Sequence, residues 1–134
     1  MPREEGKRYA VSQLSDIEPL ASDLVEGDWR PVRYHFGITA FGCNAYVARA
    51  AGELIVEEHS ETSHEELYVV LAGEARFTLD GDQVAAPAGT LVHCPPPVVR
   101  KATAGEAGTT ILAIGAIPGQ AFAVSRWESS RTPQ

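Results

Sequence analysis

The stretch Glu74-Ala-Arg-Phe-Thr-Leu-Asp-Gly-Asp-Gln-Val84 decides the fold class. From Glu74 to Asp80 the residues alternate strictly. Ala75, Phe77 and Leu79 share one face, while Glu74, Arg76, Thr78 and Asp80 share the other. A period of two belongs to an extended strand with one buried face. Asp80-Gly81 then supplies the dipeptide favoured in two-residue hairpin turns, and Val84 and Ala86 begin a return strand. Working outward, Leu67 to Leu71 is a short apolar run broken by Gly73. Pro87-Ala-Gly89 is a turn, Leu91 to Cys94 a strand, and Pro95-Pro96-Pro97 a stiff corner. Thr109 to Ile114 is the last clear strand, ended by Gly115 and Pro118. Upstream, Leu54-Ile-Val56 starts a strand after a turn at Gly52. Strand signals begin at Trp29 and run through Tyr34-His-Phe36-Gly37 and Ala40 to Val47. Twelve glycines and nine prolines punctuate the chain and suit no long helix. Short strands with turn signals about every eight to twelve residues predict an all-β sandwich or barrel.

The chain has 134 residues, one domain's worth, with 44% hydrophobic and 22% charged residues, the composition of a globular protein. Eleven Lys and Arg against eighteen Asp and Glu give a net charge of -7, which argues against a nucleic-acid backbone or an anionic membrane as partner. No apolar run approaches the roughly twenty residues of a membrane helix. The first ten residues are charged and carry no apolar segment, so the expected location is the cytoplasm. There Cys43 and Cys94 are expected to be reduced, buried and inert. Residues 1–30 are expected to form an N-terminal arm or edge strand, residues 31–128 the domain proper, and residues 129–134 a solvated tail. Trp127 is expected to pack back on the body.

Chemistry concentrates in Glu57-Glu-His59-Ser-Glu61-Thr-Ser-His64-Glu-Glu66. His59 and Glu61 share one face of an extended segment, and so do His64 and Glu66. A bend at Thr62-Ser63 would turn both pairs toward one cavity. Imidazoles and carboxylates held on a β-scaffold make a candidate site for a divalent metal, and a solvated acidic loop is the plain alternative. Asn44, Tyr46 and Tyr68 alternate on strands and are candidate ligand contacts. His93 is a further candidate, although its neighbour Cys94 must point to the opposite face, which rules out a direct Cys/His dyad. Arg33 and His35 are placed at a barrel mouth or on the surface.

The stretch from Gly52 through Gly115 resembles a small single-domain cupin of the RmlC-like type. Glu66 and Gly73 match the Glu-x6-Gly end of the first cupin motif, with Leu67-Tyr-Val-Val-Leu71 between them. Counting back, the motif's two histidines fall on His59 and Glu61, so a carboxylate replaces the second. In the second motif Gly89 and Pro95 match, while Pro97 stands at the second Gly, Arg100 at the metal-binding His and Ala104 at the Asn. A second register through Gly81, Pro87 and Gly89 also fits the motif's start. The first is preferred because Asp80-Gly81 reads as the hairpin between the motifs.

The resemblance implies a cupin-type double-stranded β-helix, a jelly-roll barrel, with both motifs lining one pocket, and commonly a homodimer. It also implies a small-molecule ligand, but fold alone does not choose a reaction. Two readings stay open. In one, His59, Glu61, His64 and Glu66 hold Mn²⁺, Fe²⁺ or Zn²⁺, with oxygenation or isomerisation of a small organic acid or secondary metabolite as the chemistry. In the other, Arg100 fills the space of the missing His and clamps Glu61 or Glu66, leaving a metal-free ligand-binding or sensor module. If a metal is bound, Arg100 is expected to face an anionic ligand.

Overall fold

The alternating stretch folds as its period demands. Ala75 and Phe77 are buried and Arg76 is exposed on a strand from Glu74 to Leu79. The turn that follows places both Asp80 and Gly81 at positive φ, 50° and 88°, as a two-residue hairpin turn requires. The computed structural model describes residues 3–59 and 63–133, and all facts below concern those residues. Among them nine strands form: β1 (Asp28–Arg30), β2 (Gly42–Val47), β3 (Leu54–His59), β4 (Glu65–Ala72), β5 (Glu74–Leu79), β6 (Asp82–Pro87), β7 (Leu91–Cys94), β8 (Arg100–Ala104) and β9 (Thr110–Ala116).

The strands make two antiparallel sheets, ordered β1-β2-β9-β4-β7 and β3-β8-β5-β6. Non-consecutive neighbours such as β2-β9 and β3-β8 wind the chain between the sheets, and the result is an all-β jelly roll. Register fixes what faces inward. Tyr46 pairs with Ile111, which pairs with Val70; Asn44 pairs with Ala113, which pairs with Tyr68; Gly42 pairs with Gly115, which pairs with Glu66. From the other sheet Phe77 and Ala102 meet across the β5-β8 ladder. The buried core lies between the sheets and includes Ile55, Tyr68, Val70, Phe77 and Ile111. Gly73 sits at φ 72° between β4 and β5, where a Cβ would stand 2.8 Å from the Thr109 Cα. Only glycine fits there, which is the physical content of the motif's closing Gly.

The expected strand at Tyr34–Phe36 does not form. Those residues lie in α1 (Val32–Phe36), whose aromatic content mimics a strand. Gly37, at φ 72°, closes the helix with its N–H on the carbonyls of Arg33 and Tyr34. A second short helix, α2 (Arg126–Ser129), is capped by the Ser125 hydroxyl, which accepts from the Glu128 N–H. Upstream of β1, Ile17 is buried and Leu20 bridges to Trp29. The Arg30 guanidinium donates to the carbonyls of Ser15 and Ile17.

Candidate functional site

Glu66 reaches the interior because β9 gives way to it. Gly115 stands opposite, and a Cβ there would lie 2.9 Å from the Glu66 Cγ. His59 arrives from β3 by a different device. Its register against β8 shifts between Leu54 and Val56 and again between Val56 and His59, so Val56, Glu57 and His59 all line one cavity. An unbroken strand would send Val56 and Glu57 to opposite faces. The cavity measures about 250 Å³ and lies between the sheets, with α2 along its wall.

Three side chains meet at one oxygen of Glu66. Its Oε1 accepts from Arg100 Nη1 at 2.8 Å and from the Tyr68 hydroxyl at 2.8 Å, and lies 3.2 Å from His59 Nε2. The other ring nitrogen of His59, Nδ1, lies 2.8 Å from the Glu57 carbonyl. A carbonyl only accepts, so Nδ1 carries a hydrogen, and a proton must then also lie between Nε2 and Glu66 to avoid opposed lone pairs. The hydrogen bond to Glu66 raises the His59 pKa, against burial, with the Glu57 carbonyl assisting. Burial pushes the Glu66 carboxyl up, but the hydrogen bonds from His59 and Tyr68 and the charges of His59 and Arg100 outweigh it, and the net shift is downward. Burial, with Glu66 beside it, holds the Tyr68 hydroxyl protonated far above the usual phenol range.

Arg100 is 0% exposed and its donors are committed. Nε donates to the Val98 carbonyl, and Nη2 to the carbonyls of Pro95 and Pro96. The proline corner therefore aims the guanidinium at Glu66.

Among the residues expected at the site, His59, His64, Glu66, Tyr46 and Tyr68 line the cavity, as does Asn44. Glu61 lies outside the described residues, as does Thr62 of the expected bend, while Ser63 is in a bend. Two candidates are not brought to the ligand space. Arg100 stands behind Glu66, fully buried and outside the cavity lining. His93 alternates outward on β7 and pairs with Glu65 on the exposed face. Arg33 and His35 fall on α1 and not on a strand, and His35 bonds Ser12.

Sequence reasoning missed Phe122 and Glu128, and it gave no site role to Glu57 of the polar cluster or to Trp127, all of which line the cavity. Trp127 does pack back, with its ring 4.6 Å from that of Trp29. Glu128 is buried and paired with Arg33 across most of the chain's length. No local pattern announces so distant a pair.

A family model for the Cupin domain matches residues 45–114, more than half of the chain. The chain belongs to the cupin family. Solved cupin-like structures agree in fold. A "predicted oxalate decarboxylase" from Thermotoga maritima is 20% identical with a TM-score of 0.62, over 80% of this chain and 98% of that one. A sugar phosphate isomerase of the cupin superfamily from Silicibacter pomeroyi is 18% identical with a TM-score of 0.67, over 77% and 73%. A Cupin 2 conserved barrel domain protein from Salinispora arenicola is 17% identical with a TM-score of 0.66, over 81% and 89%. Such identities speak for the fold alone. No curated protein matches the chain.

Cupins often bind a divalent metal. A metal needs several lone pairs aimed at a common point. Here Glu66 Oε1 already meets three donors, His59 spends both ring nitrogens, and a guanidinium touches the carboxylate that would ligate. With an effective dielectric of about 20, a dication about 4 Å from a guanidinium is repelled by on the order of 8 kcal/mol. Among the described residues no three His, Cys, Asp or Glu side chains are grouped to hold a metal. The described residues do not fit the ion.

Proposed function

We propose that this cupin binds a small molecule in its barrel without a metal, with the Glu66 cluster as the polar floor of the site. The observation that carries the proposal is the buried Arg100–Glu66 pair at 2.8 Å, which puts a fixed charge where the second motif would supply a metal-binding imidazole. The cavity beside it is of ligand size and is walled by Tyr46, Tyr68, Phe122 and Trp127. The test is elemental analysis of protein purified without an affinity tag, together with native mass spectrometry for a co-purifying small molecule. We expect no stoichiometric Mn, Fe or Zn and no change of Tm with EDTA. Stoichiometric metal overturns the proposal.

A metal-dependent oxygenase or isomerase is the second reading. It is favoured by one observation, that His64 lines the same cavity as His59 and Glu66. On that reading Arg100→His raises the bound metal content; on ours it does not.

The proposal extends to assembly and location: a homodimer in the cytoplasm, with no nucleic-acid or membrane partner. Cys43 and Cys94 are free and buried, as suits a reducing compartment. Burial pushes the Cys43 thiol up to about 11, with Glu128 adding to the shift, so the thiol is unreactive near neutral pH. Among the described residues no helix is long and apolar enough to cross a membrane.

A further inference from the structure

Charges around the cavity do not balance in the way a site for an acid would need. Among the described residues three carboxylates line it: Glu57, Glu66 and Glu128. Glu128 is neutralised by Arg33, whose Nη1 also donates to the Ile38 carbonyl, and Glu66 is neutralised by Arg100. Both arginines are thus turned to their carboxylates and away from a guest. His59 is committed to Glu66. Glu57 is different. Its carboxylate lines the cavity and carries no hydrogen bond or ion pair among the described residues. The remaining walls are mostly apolar or aromatic, with Tyr46, Phe122 and Trp127 presenting rings, and His64, Asn44 and Ser125 add polar groups. An anion entering this space would meet three carboxylates and no uncommitted arginine or lysine among the described lining residues. A cation would meet an unpaired carboxylate and ring faces, the two surfaces that attract it. The cavity's volume is that of about eight waters, and so of a guest of about ten non-hydrogen atoms.

We propose that the cavity selects a small organic cation, an amidinium, ammonium or protonated heterocycle, with its N–H end on Glu57 and its apolar body against Tyr46, Phe122 and Trp127. This rests on the metal-free binding reading above and narrows it. It replaces the small organic acid that the sequence alone suggested.

Three probes of nearly equal size and shape separate charge from fit: benzamidinium, benzamide and benzoate. Affinities are measured by calorimetry on the full chain, with tryptophan fluorescence as a second readout, since Trp29 and Trp127 are the two tryptophans and the latter lines the cavity. Benzamidinium is expected to bind at least about tenfold more tightly than benzoate, a difference of about 1.4 kcal/mol, with benzamide between them. In Glu57→Gln that preference should fall to about twofold or less, and a Tm within a few degrees of the parent shows that the variant is folded. Benzoate binding as tightly as benzamidinium overturns the proposal. So does a preference that survives Glu57→Gln, or no binding of any probe at millimolar concentration. The underlying reading fails on a different measurement, elemental analysis. Metal in the protein overturns that reading, whereas a benzoate preference in metal-free protein overturns only the ligand class.

Discussion

Removing the Arg100 guanidinium would leave Glu66 charged and partly desolvated beside an apolar core, with three backbone carbonyls losing their donors at the same time. Breaking one side of a buried pair costs about 3–5 kcal/mol, and because Glu66 is partly solvated we expect Arg100→Ala to cost about 3 kcal/mol in denaturant melts. A variant within about 0.5 kcal/mol of the parent would mean that the pair does not hold the barrel together. His59 gives a second prediction, with a definite sign. Its pKa in the folded protein is raised above its ordinary 6.5, chiefly by Glu66, so its stabilising contribution is fully present below 6.5 and is lost as pH rises through the raised value. Glu66 acts in the opposite direction. Its folded pKa lies below its ordinary 4.5, so its contribution is present above 4.5 and is lost as pH falls through the lowered value. The groups facing His59 are Glu57 on its own strand, Glu66 and Tyr68 on β4 and Arg100 on β8. Comparing Tm against pH for the parent and His59→Asn isolates the histidine. The variant should be the less stable below pH 6.5, and the gap should narrow in alkali. A gap of constant size would show that His59 acts by packing alone.

At the scale of elements, α2 is held over the cavity by one buried ion pair and one tilted ring contact. The Arg33 and Glu128 side chains are 11% and 4% exposed, and Trp127 lies against Trp29 on one side with the Arg131 guanidinium 5.6 Å from its ring centre on the other. Arg33→Ala strands a buried carboxylate, and a cost of about 3–5 kcal/mol follows if α2 stays docked. Undocking is the cheaper escape. We therefore expect a smaller loss in Tm together with a red-shifted tryptophan emission, and an unshifted emission would show that α2 holds without the pair. The same elements show what a sequence can and cannot disclose. The hairpin at Asp80-Gly81 was legible because period and turn chemistry agree locally. Residues Tyr34–Phe36 looked like a strand because aromatic content is shared by strands and short helical turns, and the left-handed Gly37 that settles the matter is one residue among twelve glycines. β8 gave no signal at all: its inward residues are Arg100, Ala102 and Ala104, which lack the β-branched bulk of a usual strand. In the cavity's first wall, Glu66, Tyr46 and Tyr68 lie on strands whose alternation is readable, whereas the register shifts of β3 that bring in His59 leave no local period. Its second wall, Trp127 and Glu128, depends on a chain return that no local period encodes.

For the whole molecule, the outward face of the larger sheet has a composition at odds with its surroundings. The residues that alternate away from the core on β4, β7 and β9 are Leu67 and Val69, Leu91 and His93, and Leu112 and Ile114, and the register sets them side by side: Leu112 against Val69 against Leu91, and Ile114 against Leu67 against His93. Leu91 is 63% exposed, and Leu71 farther along β4 is 48% exposed. On a chain with a net charge of -7, such a contiguous apolar row is costly to leave in water. A twofold axis passing through the row would lay Leu91 and Val69 of one copy on Leu112 and Ile114 of another, and apolar residues tolerate this self-pairing without any charge having to find its opposite. The homodimer proposed above is therefore expected to form through this sheet face and not through the short edge strand β1. Light scattering should give twice 14.4 kDa at micromolar concentration. Leu91→Lys, which changes an exposed side chain and leaves the core alone, should return the protein to one copy while its Tm at low concentration stays within a few degrees of the parent. A parent that is monomeric across the whole accessible concentration range would overturn the homodimer. A Leu91→Lys protein that remains dimeric would move the interface to another face.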